Sequence, residues 1–493
     1  MPNRPHVLLI TTDHWPASLL GIAGHPVIRT PTLDQLARNG VRYTNAYSEC
    51  PVCIPARRTL MTGTPPRVHG DRTFQTTLPM PDIPTLASTF SNAGYQTNAI
   101  GKIHVFPQRD RIGFDDVLLA EEGRPQWNVV DDYEVFLGDQ GHAGRQFDHA
   151  MSNNEYSARP WHLPEECHVT NWTARETSRA IRRRDPTRPG LWYCSFTHPH
   201  PPLVPPASYL DMYRDAEPPL IPWGEWSRDY EALPYRVKMQ RNVWHCDRDD
   251  DIRAAHRAFY ALCTHIDHQL RLVIGTLREE GLLDNTVIMF TSDHGDMLGH
   301  HGMWAKRLYY EGSANVPMIL VGAADDERVG HHRVDNRLVG WQDVMPTLLD
   351  LAGIDAPESV VGQSMVGDST RDTLYGECNE GPTATRMLRD DRHKLIYYSA
   401  GNRFQLFDLQ EDPHEAVDLS ESTEHAEIRE TLTQALIGEL YGSDLDWLSD
   451  GQLVGLPDEI CEPGPNRGLS IQRGVHWPPP PVVPPEETNS PVK

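Results

Sequence analysis

The 493-residue sequence has few cysteines, no long apolar run and no excess of basic residues. Its eight cysteines are too sparse for a disulfide-held scaffold and predict a reduced, cytoplasmic protein. No run reaches the roughly 20 apolar residues of a membrane-spanning helix, and the short N-terminal run lacks the small-residue cleavage site of a signal peptide. A formal charge of −24 argues against nucleic-acid and anionic-membrane partners, which need basic patches.

Apolar runs that alternate with helical periodicity predict an α/β protein with a largely parallel sheet. The predicted buried strands are residues 6–12, 96–100, 190–197, 286–292 and 316–321. Helices are predicted at 31–40, 82–94, 250–281 and 343–352. The segments 105–190 and 203–248 have no clear period and are expected to be loops that shape a pocket.

The chain is long enough for two or three domains. We expect a catalytic α/β domain over residues 1–370 and a small α+β domain with an antiparallel sheet over 371–455. Residues 456–493 form a proline-rich tail, and we expect it to support a homo-oligomer by packing on a neighbouring subunit.

The most unusual stretch is Cys50–Gly63, which holds two cysteines, two prolines and two arginines just ahead of a short helix pattern. Cys53 lies four residues before Arg57, at a junction between loop and helix. Orphan N–H groups and a nearby guanidinium both favour negative charge there, so the stretch by itself indicates an activated thiolate nucleophile.

Other reactive residues follow predicted strands or lie in adjoining loops, namely Asp13, Lys102, His104, His200, Asp293, His294 and Lys306. Each alone is as well explained by a cap, a turn or a surface charge. Because the carboxyl ends of parallel strands meet at one edge of a sheet, together they predict a single site. Carboxylates and imidazole suit a divalent metal ion, and lysines with arginine suit a tetrahedral oxyanion, so the predicted reaction is hydrolysis of an anionic ester.

Six motifs, in the same order along nearly the whole chain, make the sequence similar to the formylglycine-dependent sulfatases (arylsulfatases) of the alkaline phosphatase superfamily, close to the phosphonate monoester hydrolase branch. The motifs are Cys53-Ile-Pro-Ala-Arg57 with Leu60-Met-Thr-Gly63, Gly101-Lys102-x-His104, Pro199-His200-x-Pro202, Ser292-Asp293-His294-Gly295, Gly302-Met-Trp-Ala-Lys306, and Leu406–Glu415. The resemblance implies an α/β sandwich with a small C-terminal sheet domain and the hydrolysis of sulfate esters.

The resemblance also implies the role of Cys53. A formylglycine-generating enzyme would oxidise it to formylglycine, and one hydroxyl of the aldehyde hydrate would attack sulfur while the other is deprotonated to expel sulfate. Arg57 would stabilise the oxygens of the hydrate. His104 would assist proton removal from it.

The remaining roles follow in the same way. Asp13, Asp293, His294 and the modified Cys53 would bind one divalent ion, which the Asp-His pair leaves open between Ca²⁺, Mn²⁺ and Mg²⁺. Lys102 would bind the sulfuryl oxygens. His200 and Lys306 would bind sulfate and protonate or stabilise the leaving group. His14 stands where many family members have a second acid, so its contact with the metal is left open.

Two alternatives stay open. The same formylglycine machinery serves a hydrolase of phosphonate monoesters or phosphodiesters. A more distant alternative is a non-catalytic zinc module built on Cys50 and Cys53, although no other cysteines form a second close pair. The sequence does not identify the ester substrate, for which Trp127, His142 and Trp161 are candidate pocket residues.

Overall fold

The computed structural model describes residues 4–122, 129–151, 154–244, 248–324 and 326–461. Trp127, Cys246 and the proline-rich tail beyond Cys461 lie outside these ranges. The expected oligomer contact through the tail therefore stays a prediction. None of the described helices combines the length and the apolar character needed to cross a bilayer.

Eight strands form one large sheet. In chain order they are β1 (His6–Asp13), β2 (Val41–Tyr47), β3 (Gln96–Gly101), β4 (Asp116–Leu119), β5 (Gly190–Pro199), β6 (Thr286–Ser292), β7 (Met318–Val321) and β8 (Arg333–Gly340). Their order across the sheet is β4-β3-β5-β1-β6-β7-β2-β8, and only β7 runs antiparallel to its neighbours. The predicted α/β class with a mixed, largely parallel sheet is confirmed.

Helices cover both faces of this sheet, as a mostly parallel sheet requires. In chain order, the α-helices of the described residues are α1 (Pro31–Arg38), α2 (Cys53–Thr62), α3 (Pro66–His69), α4 (Leu86–Asn92), α5 (Asp132–Asp139), α6 (Val169–Arg182), α7 (Ala207–Met212), α8 (Tyr235–Arg241), α9 (Asp249–Glu279), α10 (Glu311–Ala314), α11 (Val344–Leu351) and α12 (Ala426–Glu439). The expectation that 105–190 is irregular is wrong in part, because β4, α5 and the 14-residue α6 lie there. The buried face of α6 consists mostly of threonine and serine, so it lacks the aliphatic period that marks a helix in sequence.

The central strand β1 shows how the two faces are built. Val7 and Leu9 point to one side and pack in the core formed with α2, α4 and α11. Leu8 and Ile10 point to the other side, into the core formed with α1, α6 and α9. All four are 0% exposed, and burial of each such side chain is worth about 1.5–3 kcal/mol. The strand is therefore fixed on both faces, and so is the residue at its end.

A second, antiparallel sheet follows, with β9 (Leu374–Cys378), β10 (Thr385–Arg389), β11 (His393–Tyr398) and β12 (Arg403–Asp408) in the order β12-β11-β10-β9. Leu432 and Leu436 of α12 pack against it. A short hairpin of β13 (Leu448–Ser449) and β14 (Gln452–Leu453) comes next. The antiparallel sheet is as expected, whereas the exact domain boundaries stay a prediction.

Buried ion pairs join the two sheets. Lys394 Nζ on β11 lies 2.6 Å from Glu311 Oε1 and 2.7 Å from Glu415 Oε1. Arg72 Nη1, from the loop after α3, lies 3.0 Å from Glu377 Oε2 and 2.9 Å from Asp444 Oδ2. Because removal of one partner would leave a buried charge uncompensated, these contacts bind the small sheet firmly to the large one.

Candidate active site

Asp13, Asp293 and His294 meet because β1 and β6 are neighbours. The two strands pair in parallel up to Thr12 and Ser292, so the next residue on each strand emerges at the same edge. Asp13, Asp293 and His294 are all 0% exposed. The prediction that the strand ends bring these residues together is confirmed.

The N-terminus of α2 places Cys53 against the same three residues. Cys53 Sγ lies 3.3 Å from His294 Nε2 and 3.7 Å from Asp13 Oδ1, and His294 Nε2 lies 3.3 Å from Asp13 Oδ1. One ligand atom from each of Asp13, Cys53, Asp293 and His294 lies within 4.8 Å of all the others. The proposed ligand set thus converges on one point.

The donors of this cluster fit a hard divalent cation. His294 Nδ1 donates to Gly295 O at 2.9 Å, which leaves the lone pair of Nε2 facing Cys53 and Asp13. Two carboxylates suit Ca²⁺, Mg²⁺ or Mn²⁺, whereas structural zinc sites are built from four cysteine and histidine ligands. Among the residues that the structure describes, no group of three metal-ligating side chains includes Cys50, which argues against the zinc module.

Arg57, one turn along α2 from Cys53, is buried and held on several sides. Its Nε donates to Asp293 Oδ2 at 3.0 Å, and its Nη1 donates to Lys102 O at 2.7 Å and to Ser195 Oγ at 2.8 Å. Among the described residues its Nη2 has no hydrogen-bond partner and lies 3.9 Å from Asp13 Oδ2, although the side chain is only 1% exposed. A fixed, buried N–H without an acceptor is suited to receive an oxygen atom that the bare cysteine does not provide.

Lys102 lies between two carboxylates. Its Nζ contacts Asp13 Oδ2 and Glu122 Oε1 and is fully buried. Burial lowers the pKa of Lys102, but the two carboxylates outweigh that effect, so the net shift is upward and the ammonium stays charged. Glu122, at the end of a loop after β4, was not identified from the sequence.

If the strand before Lys102 continued, Lys102 and His104, two residues apart, would point to the same side, but the structure does not place them so. The strand ends at Gly101, and His104 has a φ of 64°, so the two-residue period of a strand does not extend to it. Its ring packs edge-on against Phe74, with ring centroids 6.1 Å apart. Its part in catalysis stays a prediction.

Lys306 and His200 lie together on the other side of Asp13. His200 Nδ1 donates to Pro201 O at 2.6 Å, so its Nε2 presents a lone pair to Lys306 Nζ at 3.3 Å. Burial, followed by the charge of Lys306, holds the pKa of His14 well below its ordinary value, and burial does the same for His200. The two imidazoles are therefore neutral, and their Nε2 atoms can accept hydrogen bonds from the lysine.

His14 contacts Lys306 through Nε2, and a hydrogen bond at its other ring nitrogen, Nδ1, fixes its orientation. Its Nδ1 lies 2.6 Å from Asp296 Oδ2, and the Tyr156 hydroxyl donates to the same oxygen. The other oxygen of Asp296 accepts from the backbone N–H of Ala305 at 3.0 Å. Because the Nδ1–H of His14 donates to Asp296, the Nε2 atom is left as an acceptor for Lys306.

Sequence reasoning therefore missed Glu122, Tyr156 and Asp296. Asp296 stands three residues after Asp293 in an Asp-His-Gly-Asp run, and this spacing was a usable signal. Glu122 and Tyr156 come from the 105–190 insertion, where no period and no motif marks them. The expectation that this insertion shapes the pocket gave no means of choosing these two residues within it.

A small cavity of about 50 Å³ opens beside His200. Glu122, Tyr133, Phe147, His149 and Trp161 contribute to its lining. Trp161 thus lies where a pocket residue was expected, whereas His142 is not part of the lining and Trp127 is outside the described residues.

Comparisons with known proteins show which family the chain resembles. The profile of the family described as "Sulfatase" matches residues 5–354, and that of "N-sulphoglucosamine sulphohydrolase, C-terminal" matches residues 299–440. The chain is 34% identical to an arylsulfatase of Clostridium perfringens over 92% of this chain and 97% of that protein. It is 30% identical to a choline-sulfatase of Rhizobium meliloti over 87% of this chain and 85% of that protein.

Solved structures show the same fold. The phosphonate monoester hydrolase of Agrobacterium radiobacter superposes with a TM-score of 0.78 at 23% identity, covering 92% of this chain and 99% of that one. The enzyme of the same kind from Silicibacter pomeroyi gives a TM-score of 0.75 at 23% identity, over 90% and 97% of the two chains.

Proposed function

Since the chain belongs to the sulfatase family and is a sulfate ester hydrolase, we propose that it acts through a formylglycine made from Cys53 and one divalent metal ion. The observation that carries the proposal is the convergence of Asp13, Cys53, Asp293 and His294 within 4.8 Å, beside an Arg57 N–H that has no acceptor. An intact thiol leaves that N–H unsatisfied. An oxygen-bearing side chain at position 53 would satisfy it.

The hydrated aldehyde supplies an oxygen nucleophile and a route for sulfate release, and the metal ion supplies positive charge for the developing oxyanion. Asp13, Asp293 and His294 would hold the ion together with the modified Cys53. Lys102, kept charged by its carboxylate neighbours, would bind oxygens of the sulfate group. His104 is assigned to proton removal from the hydrate by the family motif alone.

Lys306 is the proton donor best placed for the leaving group. Its Nζ is shared between the Nε2 lone pairs of His14 and His200, so one N–H remains free for a third acceptor. A leaving alkoxide or phenoxide oxygen that accepts from this N–H would be stabilised as negative charge develops on it. His200 and His14 orient the lysine and assist in sulfate binding.

The relatives named above act on aryl and choline sulfates, and we take a sulfate monoester of a small molecule as the substrate class here. Maturation requires a formylglycine-generating enzyme as a partner. A cytoplasmic location and a homo-oligomer built through residues 456–493 remain parts of the proposal. They rest on composition, in particular the sparse cysteines and the proline-rich tail.

The decisive experiment combines mass spectrometry with sulfate release. We expect the tryptic peptide that contains position 53 to carry an aldehyde in place of the thiol, and we expect Cys53→Ala to release at least about 10³-fold less sulfate from 4-nitrophenyl sulfate. Cys50→Ala, three residues away, is the matched control and should keep the modification. An active enzyme with an intact Cys53 thiol would refute the mechanism.

The same preparation tests the rival substrate class. The Asp293-His294 pair also suits a phosphonate monoester or phosphodiester hydrolase, because sulfate and phosphonate esters share tetrahedral geometry. We expect kcat/KM on an aryl sulfate to exceed that on the matched phenylphosphonate ester. The reverse ranking would reassign the principal substrate while keeping the site.

A further inference from the structure

Arg236 on α8 is a buried cation without an acidic partner. The residue is 5% exposed, its Nη2 donates to Gln240 Oε1 at 3.0 Å, and its Nε has no hydrogen-bond partner. Within the described part of the chain, no carboxylate forms an ion pair with it. An unpaired buried charge is costly, so it marks a place where a negative group is missing.

Other buried arginines are compensated. Arg57 pairs with Asp293 at 3.0 Å, and Arg386 pairs with Asp444 at 2.8 Å. Arg58 instead donates to three backbone carbonyls. Among the described residues, Arg236 has neither a carboxylate partner nor a set of backbone carbonyl partners. This distinguishes it from arginines that serve a structural purpose.

A second guanidinium, that of Arg307, lies close to Arg236. Burial and, next, the charge of Arg307 lower the pKa of Arg236 to about 10. Arg307 is half-buried over the ring of Phe74, 5.0 Å from its centroid, and within the described residues it also lacks a carboxylate partner. Gln240 Nε2 donates to Trp304 O at 2.6 Å and so ties α8 to the segment that carries Arg307.

Among the described residues, the groups that offset the charge on Arg236 are the Cys378 thiol and the phenols of Tyr398 and Tyr235. Burial raises the pKa of Tyr398, so that its phenol stays neutral. A hydrogen bond from Cys50, followed by the nearby arginines, lowers the pKa of Cys378 to about 7. One thiol, even when ionised, carries a single negative charge and cannot offset two guanidiniums. The local potential therefore stays positive.

The arginine pair borders the reaction centre. Arg307 directly follows Lys306, and its backbone N–H donates at 3.0 Å to the carbonyl of Pro51, two residues before Cys53. Phe74, beneath the Arg307 guanidinium, also contacts the ring of His104. Arg307 thus lies over Phe74 beside the reaction centre, and α8 brings Arg236 near it. A substrate group that extended past Phe74 would meet the two guanidiniums.

We propose that Arg236 and Arg307 form a subsite for a second anionic group of the substrate, a carboxylate or a further sulfate. The natural substrate is then a sulfate ester whose organic part is itself negatively charged, rather than a neutral phenol or a quaternary ammonium alcohol. This inference rests on the sulfatase function proposed above. Two planar guanidiniums suit such an anion because each can donate paired hydrogen bonds to it.

The test uses sulfonates, which resemble the ester but are not hydrolysed. Inhibition of the full-length enzyme by 3- and 4-sulfobenzoate is compared with inhibition by the corresponding sulfobenzamides. Hydrogen bonds to a charged group are worth about 1.5–3 kcal/mol, so at least one sulfobenzoate isomer should bind roughly 10-fold more tightly than its amide. Equal inhibition constants for both isomer pairs would overturn the subsite.

Variants then locate the effect. Arg307→Gln should remove most of the preference for the sulfobenzoate, and so should Arg236→Gln if its unfolding temperature shows that it folds. Arg228→Gln is the matched control, because Arg228 is an exposed arginine of the same insertion and pairs with Glu225 at 3.5 Å. A preference that survives Arg307→Gln would also overturn the proposal.

The two proposals fail differently. If the sulfatase function were wrong, no sulfate would be released from any aryl sulfate. If only the subsite were wrong, sulfate release would be normal and the carboxylate would bring no advantage.

Discussion

The site has two halves that differ in charge and in how they are held. The first half, with Asp13, Asp293, His294 and Cys53, is anionic and stands on β1, β6 and α2, which are buried on all sides. The second half gathers Lys306 with neutral imidazoles and is oriented by loop and insertion residues. The positions of the anionic residues are therefore set by the sheet. The positions of Lys306 and its imidazole neighbours are set by hydrogen bonds to other side chains, such as Asp296.

The largest effect should come from the anionic half. Asp293→Ala removes a proposed metal ligand and the partner of Arg57, so we expect a loss of about 10³-fold in kcat/KM and a destabilisation of about 3–5 kcal/mol. Activity and urea unfolding measure the two parts. Asp350→Ala is the control, since Asp350 pairs with exposed Arg328 and a surface pair is worth at most about 1 kcal/mol.

A chelator should inactivate the wild-type enzyme, and Ca²⁺, Mn²⁺ and Mg²⁺ added back singly will identify the ion. Full activity after exhaustive chelation, or a stable and active Asp293→Ala variant, would contradict a metal-binding anionic half.

A substitution in the second half of the site, which carries Lys306, should cause a smaller loss of activity. The size of that loss should depend on the leaving group. Lys306→Ala should reduce kcat/KM by about 10²-fold for esters of weakly acidic phenols and by less for 4-nitrophenyl sulfate, which needs little help to depart. The measurement is the dependence of kcat/KM on phenol pKa. Lys238→Ala, a lysine paired with Glu231 at 3.6 Å, should change nothing. Parallel dependences for wild type and Lys306→Ala would remove the leaving-group role.

The same contrast explains how far the sequence could predict the site. Asp13, Asp293 and His294 follow recognisable strands, and the rule that parallel strands deliver their ends to one edge was enough to bring them together. Tyr156 and Glu122 could not be found in this way. They come from the 105–190 insertion, and their contacts depend on tertiary packing that leaves no periodic trace.

A third prediction, with a smaller expected effect, concerns the hydrogen bonds from Asp296 and Tyr156 that orient His14 against Lys306. Asp296→Asn preserves shape but no longer holds the Nδ1 proton of His14 firmly, so we expect about a 10-fold loss in kcat with little change in KM. Tyr156→Phe should cost less, because Asp296 keeps its backbone donors. If the residues act as one unit, the double variant should lose no more than Asp296→Asn alone. Fully additive losses would show that they act separately.

The smallest effect concerns stability alone. His69 braces α2 through a 3.0 Å hydrogen bond to Thr59, and burial, followed by the charge of Arg58, lowers its pKa to about 3. Below the unfolded-state pKa of 6.5, the unfolded chain takes up a proton that folded His69 refuses, so stability is lost as the pH falls from 6.5 towards 3. The free energy of unfolding should therefore fall less steeply in His69→Gln than in the wild type between pH 6 and 5. The two slopes should differ by about 1.4 kcal/mol per pH unit, measured by urea unfolding. An unchanged slope would show that His69 is protonated in the folded state.

The buried ion pairs that Lys394 and Arg72 form between the two sheets limit where related genes can recombine. Recombination between related genes at the junction near residue 370 would separate Lys394 from Glu311, and Arg72 from Glu377 and Asp444. A chimaera would inherit mismatched charges in its interior unless both parents carried the same set. The two sheets should therefore have been transmitted as one hereditary unit, and shuffled hybrids joined at this position should accumulate far less folded protein than hybrids joined within a surface loop.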